Sequence, residues 1–296
     1  MYDLIIIGAG PAGLTAALYA LRANKNILIL EAKNYGGQIV NALKIENYPG
    51  LPNVSGFDYA TAVYNQVKDL GAEIKFEKVI KIQKDKKVIT SKNVYNAKAI
   101  IIATGVENRK LGLENEDTFI GRGISYCANC DGNFYKNKIV AVVGGGNTAL
   151  TDAIYLSDIA SKVYLIHRRD SFKAEYRYVN EIKNKTNIEV ILNSNVVSLD
   201  GKDFLENIVI IDNNYEKINL EVNGLFIAIG HEPKNLFFED LIKTDKSGYI
   251  ESVDGVHTNI EGIYVAGDAR VKDLRQLVTA ISDGAISATT AINEMR

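Results

Sequence analysis

Two cysteines, four prolines, three histidines and no tryptophan are the scarcities of this 296-residue chain. Two thiols cannot make a disulfide framework, and His167, His231 and His257 stand at no finger-type spacing to complete a zinc set. Four prolines against 24 glycines exclude proline-rich linkers and point to glycine turns. Charge of one sign is lacking too: 34 Lys plus Arg against 36 Asp plus Glu leaves a net −2, not the basic footprint of a nucleic-acid binder. No apolar run approaches the roughly 18 residues of a bilayer span. The start, Met1-Tyr2-Asp3 before the apolar Leu4 to Ile7, lacks the basic leader and cleavage site of a secretory signal. The expectation is a cytoplasmic globular protein with no membrane, nucleic-acid or metal site. At about 150 residues per domain, its length suggests two domains.

What the chain does have is an internal repeat. Residues 2–33 run from an apolar strand into Gly8-x-Gly10-Pro11-Ala12-Gly13, then an Ala- and Leu-rich helix, then a strand over 27–30 that ends in Glu31. Gly8 permits the tight turn, Gly10 lets the backbone approach a pyrophosphate, and Gly13 lets helix pack on strand, with phosphate charge at the helix N-terminus. Glu31, about 20 residues on, can accept hydrogen bonds from a ribose 2′-hydroxyl. The glycines alone are no more than turn residues; strand, turn, helix, strand and acid together carry the dinucleotide reading.

Residues 138–170 repeat the unit with Gly144-x-Gly146-x-x-Ala149, and His167, Arg168 and Arg169 stand where the first unit has Glu31. Cations there suit a 2′-phosphate, which a carboxylate would repel. Taken alone, an arginine pair after a strand is a solvated surface pair; its place in the repeat assigns it. One unit reads as an FAD site and the other as an NADPH site.

Between the repeats the pattern predicts a helix over 56–70 and strands over 73–82, 87–90 and 99–103, the last followed by Thr104-Gly105. A strand over 224–229 ending in Gly230 mirrors it. The tail, a strand near 262–265, then Gly267-Asp268 and a helix over 274–294, matches neither repeat and is expected to return to the first domain, so that the second is inserted into it. The fold class is then α/β, with two Rossmann-like three-layer (ββα) nucleotide-binding domains: FAD-binding over 1–109 and 236–296, NADPH-binding over 110–235. Hinges are expected near 105–113 and 230–235.

The two cysteines, Cys127 and Cys130, sit in the string SYCANCDG inside the second domain. On a helical first turn their sulfurs are close enough for an exchangeable disulfide, and a helix N-terminus lowers a thiol pKa. Two merely buried thiols are the alternative, against which the polar, Gly-flanked surroundings speak. Asp131 can exchange protons with a departing or attacking thiolate, or act as a first-turn acid on the helix dipole; both can hold together.

With GAGPAGLTAA, Gly36-Gly37-Gln38, ENYPG, IATG, GRGISYCANCDG, GGGNTAL, HRRDSFKAE, AGDAR and RQLVTAISDGA in that order, nearly the whole chain resembles the low-molecular-weight thioredoxin reductases of the pyridine nucleotide disulfide oxidoreductase superfamily. The CxxxxC pair and the C-terminal His-Glu dyad of glutathione and lipoamide reductases are absent. The resemblance implies that NADPH reduces FAD, FAD reduces the Cys127–Cys130 disulfide, and the dithiol reduces thioredoxin or a thioredoxin-like protein, in a homodimer. It further implies an FAD shell of Gly8, Gly10, Pro11, Ala12, Gly13, Glu31, Gly37, Gln38, Asn47, Ala103, Thr104, Gly105, Gly267, Asp268, Arg275 and Gln276. The implied NADPH shell is Gly144, Gly146, Asn147, Thr148, His167, Arg168 and Arg169. Two positions depart from the family pattern: Thr151-Asp152 replaces a pair of glutamates, and Lys173 replaces the third arginine of HRRxxxR. Competing readings are a ferredoxin-fed or peroxidase-linked relative and a non-enzymatic flavin sensor. The retained GxGxxA turn and paired arginines favour NADPH, and a turn starting at residue 8 leaves no room for the N-terminal extension of a peroxidase-linked reductase.

Overall fold

A computed structural model describes residues 1–42, 44–45, 47–51, 53–233, 238 and 241–295. The chain divides into two compact units, Met1–Glu107 with Glu232–Arg296, and Asn108–His231. The expected boundary at 235/236 and the end of the expected second hinge, Lys234 and Asn235, lie outside the described residues.

In the first unit, β1 (Tyr2–Ile7) enters α1 (Pro11–Arg22) and β2 (Ile27–Glu31) follows. After α2 (Gly56–Asp69) come β3 (Glu73–Phe76), β4 (Val79–Ile82), β5 (Lys87–Thr90) and β6 (Val94–Ile102). Strands β3-β2-β1-β6 pair in parallel. The first half of β6 instead pairs antiparallel with β5, and β5 with β4. The expected strand over 73–82 is thus two strands, broken at Glu77, whose buried carboxylate accepts hydrogen bonds from Thr90, Asn93 and Tyr95. A short β7 (Glu107–Asn108) leads into the second unit.

There the order is α3 (Glu116–Phe119), β8 (Ile124–Ser125), α4 (Ala128–Asp131), β9 (Ile139–Gly144), α5 (Asn147–Ser157), β10 (Lys162–Ile166), α6 (Tyr176–Lys183) and β11 (Ile188–Ile191). An antiparallel meander, β12 (Ser194–Asp200), β13 (Asn207–Asp212) and β14 (Lys217–Glu221), precedes β15 (Gly224–Ala228). The sheet β11-β10-β9-β15-β8 is parallel throughout, and β16 (His231–Glu232) pairs with β7 where the chain crosses back. The tail supplies β17 (Ile263–Val265), which joins the first sheet beside β6, and α7 (Leu277–Glu294), which packs on α1.

Each unit is therefore a parallel sheet with helices on one face and an antiparallel meander on the other, the two Rossmann-like domains expected. Strands with buried faces on both sides, such as Leu4 to Ile7 and Val140 to Val142, read as continuous apolar runs for that reason. Among the described residues no helix is long and apolar enough to cross a membrane.

Candidate active site

The two glycine turns are built alike. A side chain at Gly8, whose φ is +108°, would strike the Ala103 carbonyl at 2.3 Å, and one at Gly144 would strike the Ala228 carbonyl at 2.3 Å. Each turn is thus clamped under the end of the neighbouring strand, β6 or β15. Gly13 lies so close to the Gly8 carbonyl that a Cβ would sit 1.9 Å from it, which fixes α1 on β1. The middle glycines differ: Gly10 and Gly146 have ordinary negative φ, and a Cβ there would meet only Gly37 Cα at 3.9 Å or open space. Neither backbone nor packing requires glycine at these two positions. The open backbone at each helix N-terminus is what a phosphate-bearing ligand would need to approach closely.

The residue after the second strand touches its turn in both units. Glu31 Oε2 accepts the Ala9 N–H at 2.8 Å and Oε1 that of Lys33 at 2.8 Å, leaving lone pairs for a ribose hydroxyl. In the second unit the buried His167 ring covers Gly145, where an added Cβ would lie 2.1 Å from it, stacks on Phe172 and meets the Ser171 carbonyl at 3.1 Å. Burial pushes this imidazole below its ordinary value, with Arg169 and Arg168 acting in the same direction. At neutral pH, His167 is a neutral packing ring, and the positive charge at this strand end belongs to the exposed Arg168 and Arg169. Lys173 joins them: its N–H donates to the Gly145 carbonyl at 2.7 Å, which brings its segment beside the turn. Asn147 is fixed by Glu175 through two hydrogen bonds of 2.8 Å, next to Thr148 in the first turn of α5.

Gly37 and Gly267 pack against the first turn, and other residues of the expected FAD shell make contacts of their own. Gly37 starts a short 3-10 turn against Gly10 and Pro11, Gln38 donates to the Val106 carbonyl at 3.3 Å, and Gly105 turns the chain at φ +62°. Asn47 donates to Gln276 at 2.8 Å. Arg275 lies over the Tyr249 ring at 3.9 Å and donates to the carbonyls of Asp268 and Arg270. A Cβ at Gly267 would press on Ala12 at 2.9 Å. At the ends of the paired strands β6 and β17, two buried polar atoms have no hydrogen-bond partner among the described residues: Thr104 Oγ1 and Asp268 Oδ1. Buried orphan acceptors are rare and call for a partner. A polyhydroxylated, pyrophosphate-bearing flavin dinucleotide fits this set: hydroxyls for the two orphans, an open glycine for the phosphates, a carboxylate for the ribose.

The redox pair is a disulfide with an S–S distance of 2.05 Å, Cys127 half-buried and Cys130 exposed. Cys127 precedes α4, and its Sγ accepts the Cys130 N–H at 3.1 Å. Once the bond is reduced, the same N–H favours a thiolate at Cys127. Asp131 accepts from Ser125 Oγ at 2.6 Å, while Ser125 Oγ accepts the Cys127 N–H at 3.0 Å, so a residue absent from the sequence reading links the acid to the cysteine backbone. Gly132 seats the whole turn on α5, since a Cβ would press on Tyr155 at 2.9 Å and Leu156 at 3.1 Å. The disulfide and the second glycine turn are therefore carried by opposite contacts of one helix. Among the described residues no group of three or more metal-ligating side chains is assembled.

At the end of α7, away from the redox pair in sequence, His257 Nε2 meets Glu294 Oε1 at 2.7 Å, and Nδ1 meets Asp254 at 2.8 Å. The partners are 37 residues apart, so no local motif announces them.

Residues 2–284 match the family model described as pyridine nucleotide-disulphide oxidoreductase. The chain is 42% identical to the thioredoxin reductase of Mycoplasma genitalium, across 100% of this chain and 95% of that protein. It is 41% identical to the thioredoxin reductase of Bacillus subtilis, across 97% of this chain and 93% of that one. The crystal structure of Lactococcus lactis thioredoxin reductase in its FR conformation is similar at a TM-score of 0.93 and 37% identity, across 100% of this chain and 99% of that chain. Two Rossmann-like units, a disulfide in CxxC spacing and these matches have one meaning: the chain belongs to the pyridine nucleotide-disulphide oxidoreductase family.

Proposed function

We propose that the protein is an NADPH-dependent thioredoxin reductase, acting in the cytoplasm as a homodimer on thioredoxin or a thioredoxin-like protein. The observation that carries this reading is the Cys127–Cys130 disulfide, placed between β8 and β9 of the second nucleotide-binding unit and seated on its α5. Bound FAD would supply the two-electron redox chemistry between the NADPH hydride and the disulfide. In balance, NADPH, a proton and oxidised thioredoxin become NADP⁺ and the thioredoxin dithiol.

The chain's own residues do the rest. Two electrons and two protons convert the Cys127–Cys130 bond to two thiols. The Cys127 thiolate, favoured by the Cys130 N–H, attacks one sulfur of the partner disulfide; a mixed disulfide forms and a partner thiolate leaves. Cys130 then attacks Cys127 Sγ, which restores the intramolecular bond and releases the second partner thiol. Asp131 is placed to hand protons to and from the departing thiolates, oriented by Ser125. Gly8, Gly10, Gly37, Glu31, Thr104, Asp268 and the Asn47–Gln276 pair hold FAD; Gly146, Asn147, Thr148, Arg168, Arg169 and Lys173 hold NADPH.

The test is to follow flavin bleaching with NADPH, NADH and reduced ferredoxin side by side, and then thioredoxin reduction. NADPH should bleach the flavin fastest and support multiple turnovers on thioredoxin. Preference for ferredoxin, or bleaching without thioredoxin turnover, would overturn the assignment.

A further inference from the structure

Asp268 is half-buried and its Oδ1 is an orphan acceptor, yet the buried Lys272 Nζ stands 3.3 Å away, close enough for an ion pair. That contact lacks hydrogen-bond geometry, whereas the ammonium does donate to Asp283 Oδ2 at 3.1 Å and Thr279 Oγ1 at 3.3 Å. Asp283, buried on α7, is held by Arg270 in a two-point pair at 2.8 Å each and also accepts the Gly267 N–H at 3.1 Å. Two cations and two anions make a closed, formally neutral quartet in which only Asp268 keeps an oxygen unspent.

We propose that Asp283 is a positioning residue for FAD, acting through Lys272. By drawing the ammonium's donors to itself, Asp283 leaves Asp268 with a nearby counter-charge and a free acceptor. The free lone pairs remain for a hydroxyl of the flavin dinucleotide. The Gly267 N–H bond to the same carboxylate fixes the turn that presents Asp268. Without Asp283, Lys272 is free to donate to Asp268 Oδ1 and competes with the ligand hydroxyl for it. This inference rests on the FAD site assigned above.

The test dilutes holoenzyme and follows the fluorescence of released FAD, with far-UV circular dichroism as the folding control. Asp283→Asn should weaken FAD binding by about tenfold or more. Removing the competitor as well, in Asp283→Asn with Lys272→Met, should recover most of that loss, a rescue that a purely structural Asp283 would not give. If Asp283→Asn does not fold, Lys272→Arg replaces it: the charge and the Asp283 pair are kept, the extra donors reach Asp268, and the same loss is expected. Binding unchanged within about twofold in the folded single variant, or no rescue in the double variant, overturns the proposal. Wild-type protein that takes up no FAD would instead overturn the functional reading.

Discussion

Asn47 donates its side-chain amide to the Gln276 carbonyl across 2.8 Å, joining positions 229 apart in sequence. Gln276 is also the N-cap of α7, with a reciprocal capping box to Thr279, so the pair ties the segment after the 3-10 turn at Gly37 to the start of that helix. A neutral hydrogen bond of this kind contributes about 0.5 to 1.5 kcal/mol. Asn47→Ala should therefore loosen FAD by about two- to tenfold, read from flavin release on dilution.

Arg168 and Arg169 stand exposed at the end of β10, beside a neutral His167. Two charge-assisted contacts to a 2′-phosphate are worth roughly 1.5 to 3 kcal/mol each, so alanine at both should raise the KM for NADPH by about two orders of magnitude or more. NADH, which lacks that phosphate, should be little affected. Equal loss of both coenzymes would show that the arginines are structural. Lys173→Arg, which restores a two-point fork beside the turn, should lower the KM for NADPH.

The two sulfurs should separate by function. With Cys127 as the thiol that attacks the partner, Cys130 is expected to be the one that faces the flavin, so Cys127→Ser should keep a long-wavelength absorption band with oxidised FAD and Cys130→Ser should abolish it. Both variants should accept hydride from NADPH and fail to reduce thioredoxin, because exchange needs an attacking and a resolving thiol. The reverse spectral pattern would exchange the assignments.

The glycine turns were legible because their requirement is local: a positive φ at Gly8 and a carbonyl pressed against it leave one residue type. The strand over 99–103 was legible only in its second half. Its first half, Val94 to Lys98, alternates exposed and buried side chains because it pairs with the meander, and reads as polar chain. α7 starts at Leu277 and not at 274, since the Gln276–Thr279 capping box sets the boundary. The Asp268–Lys272–Asp283–Arg270 quartet and the Ser125–Asp131 bond could not be read at all. Their partners come from different elements, and the one sequence signal was Asp283 itself, a charge among the small and apolar residues of a buried helix face.

Asp152, at one of the two departures from the family pattern, has its carboxyl pushed up to about 7 by burial. Its ordinary value is 3.8, so the folded state holds a proton that the unfolded chain releases between about pH 4 and 7. Charging the group destabilises the fold progressively over that window and by a constant amount above it. Asp152→Asn should leave the Tm unchanged at pH 4 and raise it at pH 8; a pH-independent difference would exclude the titration.

His257 titrates with the opposite consequence. Hydrogen bonds donated to Asp254 and then to Glu294 raise its pKa above the ordinary 6.5, and the same contacts, with Tyr264 foremost at Glu294, hold the two carboxyls below their ordinary 3.8 and 4.5. The imidazolium contributes fully below pH 6.5 and its contribution is lost as pH rises through the raised value; the carboxylates contribute above pH 4.5 and lose it as pH falls through their lowered values. The clasp between the 254–257 loop and the end of α7 is thus tightest between about pH 4.5 and 6.5. All three side chains are partly exposed, so screening limits the gain to about 1 kcal/mol, or a few degrees of Tm in a protein of this size. His257→Gln should lower the Tm most near pH 5.5 and least at pH 9. A deficit that grows toward pH 9 would place the stabilising charge elsewhere.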